Sequence, residues 1–211
     1  MLSRKSLAGC AMALVGALAL TGTASAAPSL QFVAGNTSVR LSDGLLGALT
    51  ALNVTPAPVL PGRLVAVNEG VGLVFPIPTG ELDAEGPKLE VLHSGGFTLS
   101  AGDVRVALTS FIIENLGDNL QITGIVKVND TIVARAPLFD LALTQDPVLT
   151  PTQGGLVTLV TIGAVRVTLT AEAADALNTA FGLSGVFTEG FRIGTARVAG
   201  RVRDRDGSLV N

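Results

Sequence analysis

Residues 103–130, DVRVALTSFIIENLGDNLQITGIVKVND, decide the fold class. In Asp103 to Ile113 the residues Val104, Val106, Leu108 and Ile112 alternate with Arg105, Ala107 and Thr109. A period of two puts one set on the buried face of a strand and the other on its opposite face. Leu120, Ile122, Val126 and Val128 repeat the pattern after a connection, Glu114 to Asn119, that carries Gly117-Asp118-Asn119. The two runs predict a hairpin, and Asn129-Asp130 turns the chain into a third strand, Thr131 to Ala136. Pro137 marks a break before Leu138 to Leu143, which leaves a three-strand meander.

Outward from this stretch the same alternation dominates, broken by Gly, Pro, Asn or Asp, as in an antiparallel β-protein. Two segments switch to helical spacing. Leu45, Leu46, Leu49 and Leu52 form one apolar stripe behind the N-cap candidate Ser42, and Ala173, Leu177, Ala180 and Phe181 form another behind Thr170. These two strand-to-helix units align at an offset of 128 residues, Val39, Leu41, Ser42, Ala48 and Leu49 matching Val167, Leu169, Thr170, Ala176 and Leu177. The Pro-rich stretch Thr55 to Gly62 reads as a loop and Pro76 to Gly86 as a turn. Arg201, Arg203 and Arg205 share one face of a last strand, read as a solvated face, before a tail that frays from about residue 204.

The first 26 of the 211 residues fit a removable export signal: Arg4 and Lys5, an apolar run from Leu7 to Leu20, and the small residues Ala24-Ser25-Ala26. Removing them leaves 27–211 as one β-rich domain and takes the net charge from -3 to -5, against a nucleic-acid partner. The same cut removes Cys10, Met1 and Met12, and Trp and Tyr are absent throughout. Thiol nucleophiles, disulfides and thiolate metal sites are thereby excluded, and one histidine forbids a multi-histidine cage. Leu7-Ala8-Gly9-Cys10 looks like an acylation site but leaves too short an apolar segment before the cysteine, so the chain reads as released. No later apolar run approaches the ~20 residues of a membrane span.

Three constellations could carry chemistry. His93 sits in Leu92-His93-Ser94-Gly95-Gly96, where glycines permit close approach; it is a haem-ligand or general-base candidate, weighed against a turn histidine that bonds backbone. A haem reading asks His93 to face a pocket walled by Phe97 and Phe111. Glu81, Asp83 and Glu85 crowd one segment, but paired-carboxylate hydrolysis needs acids converging in a cleft, and their spacing does not reproduce a calcium loop. No phosphate-binding loop, nucleophile elbow or dinucleotide fingerprint occurs.

The order of four segments resembles the haem-transport-associated (HtaA) domains of actinobacterial cell surfaces. These are the strand and helix of Val39 to Leu52; Val74-Phe75-Pro76-Ile77 with Gly80-Glu81-Leu82-Asp83; Ser94-Gly95-Gly96-Phe97-Thr98-Leu99; and Val167-Thr168-Leu169-Thr170 through Phe181-Gly182. The resemblance implies an antiparallel, β-sandwich-like domain with two short helices. It also implies haem held by a tyrosine on the first helix and a histidine past Ser-Gly. Those positions fall here at about Ala48 or Leu49 and at about Gly102. The expectation is therefore a non-enzymatic, secreted or cell-envelope binding module with no cofactor assigned. Its partner would be a hydrophobic small molecule or another cell-surface protein, with haem on His93 as the alternative.

Overall fold

The computed structural model describes residues 29–67, 70–83, 89–116, 119–152 and 157–204. The expected export signal lies outside them, as do Glu85 and Arg205. The described chain is an antiparallel β-protein with two short helices, as its alternation predicts. The strands are β1 (Ser29–Leu41), β2 (Thr55–Val59), β3 (Arg63–Val67), β4 (Gly70–Ile77), β5 (Thr79–Asp83), β6 (Leu89–Leu92) and β7 (Gly96–Ala101). They continue with β8 (Val104–Leu116), β9 (Asn119–Val128), β10 (Thr131–Ala142), β11 (Val148–Pro151), β12 (Thr158–Leu169) and β13 (Arg192–Asp204). The helices are α1 (Asp43–Ala51) and α2 (Ala171–Ala180).

Eight strands close a ring in the order β1-β13-β12-β10-β9-β8-β6-β5 and back to β1. Closure satisfies the edges that an open sheet would leave unpaired. Two long strands change partners partway along and so split the ring at one end. β1 pairs β5 through Ser29 to Phe32 and then β4 through Gly35 to Arg40, while β8 pairs β7 through Val104 to Thr109 and then β6 through Ile112 to Glu114. Beyond the fork the β3-β4-β1 leaf faces the β2-β7-β8 leaf, which gives that end its sandwich-like character.

Both helices stand at the forked end. Leu41 of β1 and Val167 of β12 each lie opposite Gly194 of β13, so the two strand-to-helix units flank β13 and leave the ring at one level. Ser42 Oγ accepts from the Leu45 amide and Thr170 Oγ1 from the Ala173 amide, both at 3.1 Å, capping helices whose Leu45, Leu49 and Leu177 turn into the core.

The meander forms as its sequence predicts, with Asn129 (φ 46°) and Asp130 (φ 66°) both in the left-handed region that a two-residue hairpin turn requires. Four expectations are corrected. In β8, Ser110 at φ 54° inserts a bulge between Thr109 and Ile112, so Phe111 and Ile113 are buried with Val106 and Leu108, while Ile112 moves to the other face. Pro137 does not end β10; it sits in a bulge, where a missing amide is tolerated. Thr55 to Val59 is an edge strand, not a loop, because Pro56 and Pro58, two apart, turn their nitrogens away from β7. Likewise β4 and β5 occupy most of the segment read as a turn.

Candidate functional site

The barrel interior is filled by aromatic side chains converging on Phe111. Phe75 meets it edge-on at 5.2 Å between ring centroids, Phe97 lies tilted at 6.0 Å and Phe139 edge-on at 6.5 Å. Among these rings remains a cavity of about 70 Å³, lined almost wholly by carbon and touched by one polar pair, Thr37 and His93. The structure thus brings together the three sequence-predicted residues His93, Phe97 and Phe111.

His93 stands at the fork. Its amide donates to the Phe111 carbonyl at 2.8 Å, extending the β6–β8 ladder, while the next amide, Ser94, donates to Pro76 at the end of β4 at 3.0 Å. Gly95 and Gly96 allow this crossing. Gly95 adopts φ 85°, and a Cβ on Gly96 would lie 2.1 Å from the Leu108 carbonyl oxygen.

The imidazole is 6% exposed and both its nitrogens are engaged. Nδ1 lies 3.1 Å from the Val91 carbonyl, which can only accept, so Nδ1 carries the proton. Nε2 then accepts from the buried Thr37 hydroxyl at 2.6 Å. Burial disfavours the imidazolium and pushes the His93 pKa down to about 4, against the smaller upward pull of the Val91 and Phe111 backbone contacts. His93 is a neutral, satisfied core residue at neutral pH.

This donor set does not fit axial ligation of haem. The Nε2 lone pair that would meet iron is taken by Thr37, and the cavity is far below the roughly 300 Å³ at which small-molecule sites begin. At the positions where the resemblance places ligands stand Leu49, buried in α1, its neighbour Ala48, and Gly102, in a turn at φ 56°. None can donate to a metal. Among the described residues no three His, Cys, Asp or Glu side chains gather as a metal site. Glu81 and Asp83 lie on β5, with Leu82 between them on the core side; Glu81 is opposite Glu90, and no carboxylate lines the central cavity.

A larger apolar space, which residue-by-residue reading missed, lies beside α2. The meander runs on past the end of β12, and α2 continues in its place, packed against β10. Between Ala176, Leu177 and Ala180 of α2 and Val106 of β8 and Val126 and Val128 of β9 is a groove of about 440 Å³. Val133, 63% exposed, stands at its mouth, and Asp175 and Thr179 are the polar groups on its border. The small residues of α2 are its signal in the sequence: alanine at 173, 176 and 180 leaves the space that larger side chains would fill.

No family model matches the sequence, and no curated protein matches it. Among solved structures, the C-terminal domain of HtaA from Corynebacterium glutamicum matches with a TM-score of 0.55 at 13% identity, covering 82% of this chain and 99% of that one. The chain has the HtaA-domain fold. The heme binding protein HtaB of the same organism matches with a TM-score of 0.48 at 13% identity, covering 84% of this chain and 95% of that one. At such identity the HtaA-domain likeness is one of backbone.

Proposed function

We propose that this protein is a non-enzymatic, exported or cell-envelope binding module that holds an apolar small molecule in the groove between α2 and the meander. The observation that carries this reading is the groove itself. Its volume falls in the range of small-molecule sites, its walls are aliphatic apart from Phe139 and its few polar groups lie at the border, as in pockets that bind by burial of apolar surface. The expected signal at residues 1–26 agrees with export, and no described helix is long and apolar enough to cross a membrane.

Haem on His93 is the second reading, supported by the convergence of His93, Phe97 and Phe111 on one cavity. It requires the Thr37 hydrogen bond to break and the phenylalanine cluster to open. One experiment with two arms separates the readings on residues 27–211. In the first arm a neutral naphthylamine dye is titrated against the parent and Ala176→Phe, a change on an exposed helix position that fills the groove. The expected result is saturable fluorescence enhancement in the parent and at least a tenfold loss in the variant, about 1.4 kcal/mol. Equal binding by both would remove the groove from the proposal. In the second arm haem is titrated and read in the Soret region with His93→Ala alongside; one-to-one binding abolished by the substitution would replace the first reading with the second.

A further inference from the structure

The outer wall of the ring carries a separate site. On β13, Thr195 lies opposite Arg40 of β1 on one side and Arg166 of β12 on the other, so the three share one outward-facing row. Arg192 reaches the same row, its Nη2 donating to Thr195 Oγ1 at 3.1 Å. Two irregularities in β12 shape the surface: a bulge in which Ala164 takes φ 54°, and a register shift between Val167 and Thr168. Together they open a shallow groove of about 550 Å³ bordered by Thr144, Arg166, Thr168, Arg192 and Thr195. A β-branch-free alanine in the left-handed region is uncommon, and such strand irregularities gather where a sheet re-aims side chains.

The hydrogen-bonding inventory of this groove is one-sided. Arg166 is exposed and makes no hydrogen bond or ion pair among the described residues. Arg192 spends one N–H on Thr195 and keeps the others. Thr195 Oγ1 accepts that bond and retains its proton, and the Thr168 hydroxyl has no partner among the described residues. Thr144 alone has spent its proton, on the Ala164 carbonyl. No carboxylate borders the groove; Asp140, opposite Thr168 on β10, is held by the Gln121 amide at 2.7 Å. Asp43 lines the adjoining pocket with Arg40, Arg192 and Thr195, but it is not among the residues that border this groove. Two guanidinium forks and two hydroxyl protons, with no carboxylate in the lining itself, suit an oxyanion that accepts several bonds at once. The basic row continues down β13 through Arg197 and Arg201, both exposed.

We propose that this groove binds a phosphate group, with Arg166 and Arg192 as its forks and the Thr168 and Thr195 hydroxyls completing the cradle. The phosphate is either free or one unit of a chain, in which case Arg197 and Arg201 engage its neighbours. The site lies outside the apolar groove and stands or falls apart from it.

The test is calorimetric titration of the full chain at low salt with two probes, inorganic phosphate and tripolyphosphate. The proteins are the parent, Arg166→Gln, Arg192→Gln, Arg197→Gln and a control, Arg105→Gln, which removes a cation paired with Asp130 on the meander. Expected is saturable binding weakened about 10- to 100-fold in Arg166→Gln and Arg192→Gln and unchanged in the control. Arg166→Lys keeps the charge but not the fork and should fall between. A further loss in Arg197→Gln, for tripolyphosphate only, identifies a chain as the ligand; no such loss identifies a single group. Failure of both probes to bind the parent, or equal weakening in the control, overturns the proposal. Arg166 has no bonding partner among the described residues, so its substitution leaves folding intact, and unchanged thermal unfolding verifies this.

Discussion

At the residue scale the most informative side chain is His93. It is the only histidine, and the sequence marks it as reachable because glycines follow it; the fold uses those glycines instead to cross the fork and seal the imidazole inside. The depressed pKa has a thermodynamic consequence. Unfolded, the group takes a proton near pH 6.5; folded, it resists until about pH 4, so the unfolded state binds more protons between these values. The stability from keeping His93 neutral is therefore complete above pH 6.5 and is lost as pH falls toward 4, by about 3 kcal/mol in all. Urea unfolding from pH 7 to 4 should show this loss in the parent and a shallower slope in His93→Gln; parallel slopes would place the acid sensitivity in the carboxylates.

At the element scale the two strand-to-helix units behave as a matched pair with unequal stakes. Both caps were legible in the sequence as Ser42 and Thr170 ahead of apolar stripes, and both form. Ser42 also donates to the Arg192 carbonyl at 2.7 Å at an exposed site, whereas Thr170 is buried and lies 3.0 Å from the Pro137 carbonyl in the bulge of β10. Thr170 thus ties the start of α2 to β10 of the meander, which helps to form the groove. Thr170→Ala should cost about 2 kcal/mol and Ser42→Ala about 1 kcal/mol, read as shifts in the urea midpoint. A larger loss at Ser42 would contradict this ranking. What the pattern could not reveal were the bulges. Alternation reads parity as unbroken, so a single left-handed residue such as Ser110 inverts the later assignments within its own strand, from Ile112 to the end of β8.

At the scale of the whole molecule, the chain's single cysteine leaves no intramolecular disulfide, so strand ladders and core packing hold the described fold. Phe111 is the centre of that packing, in ring contact with aromatic residues from β4, β7 and β10, and so joins the two leaves across the fork. Phe111→Ala should cost about 3–5 kcal/mol and enlarge the central cavity, while Phe111→Leu should cost less. Calorimetric unfolding of both variants checks this; a small loss for the alanine form would mean that the leaves are held by their ladders rather than by the core.

By itself the sequence determined the class of this protein: antiparallel strands, two capped helices behind similar strands, and, with a single histidine, the exclusion of multi-histidine chemistry. These are local properties, fixed by the two-residue and 3.6-residue periods, by cap chemistry and by composition, each visible within a short window. Only the tertiary structure decided that the strands close into a forked barrel, that Thr37 on β1 occupies the Nε2 lone pair of His93, and that Arg166 and Arg192 share a groove with Thr168 and Thr195. Such partners lie tens of residues apart and are brought together by strand order and register. Alternating patterns of similar strands are compatible with many pairings, and the lowest free energy among them depends on how all the side chains pack at once.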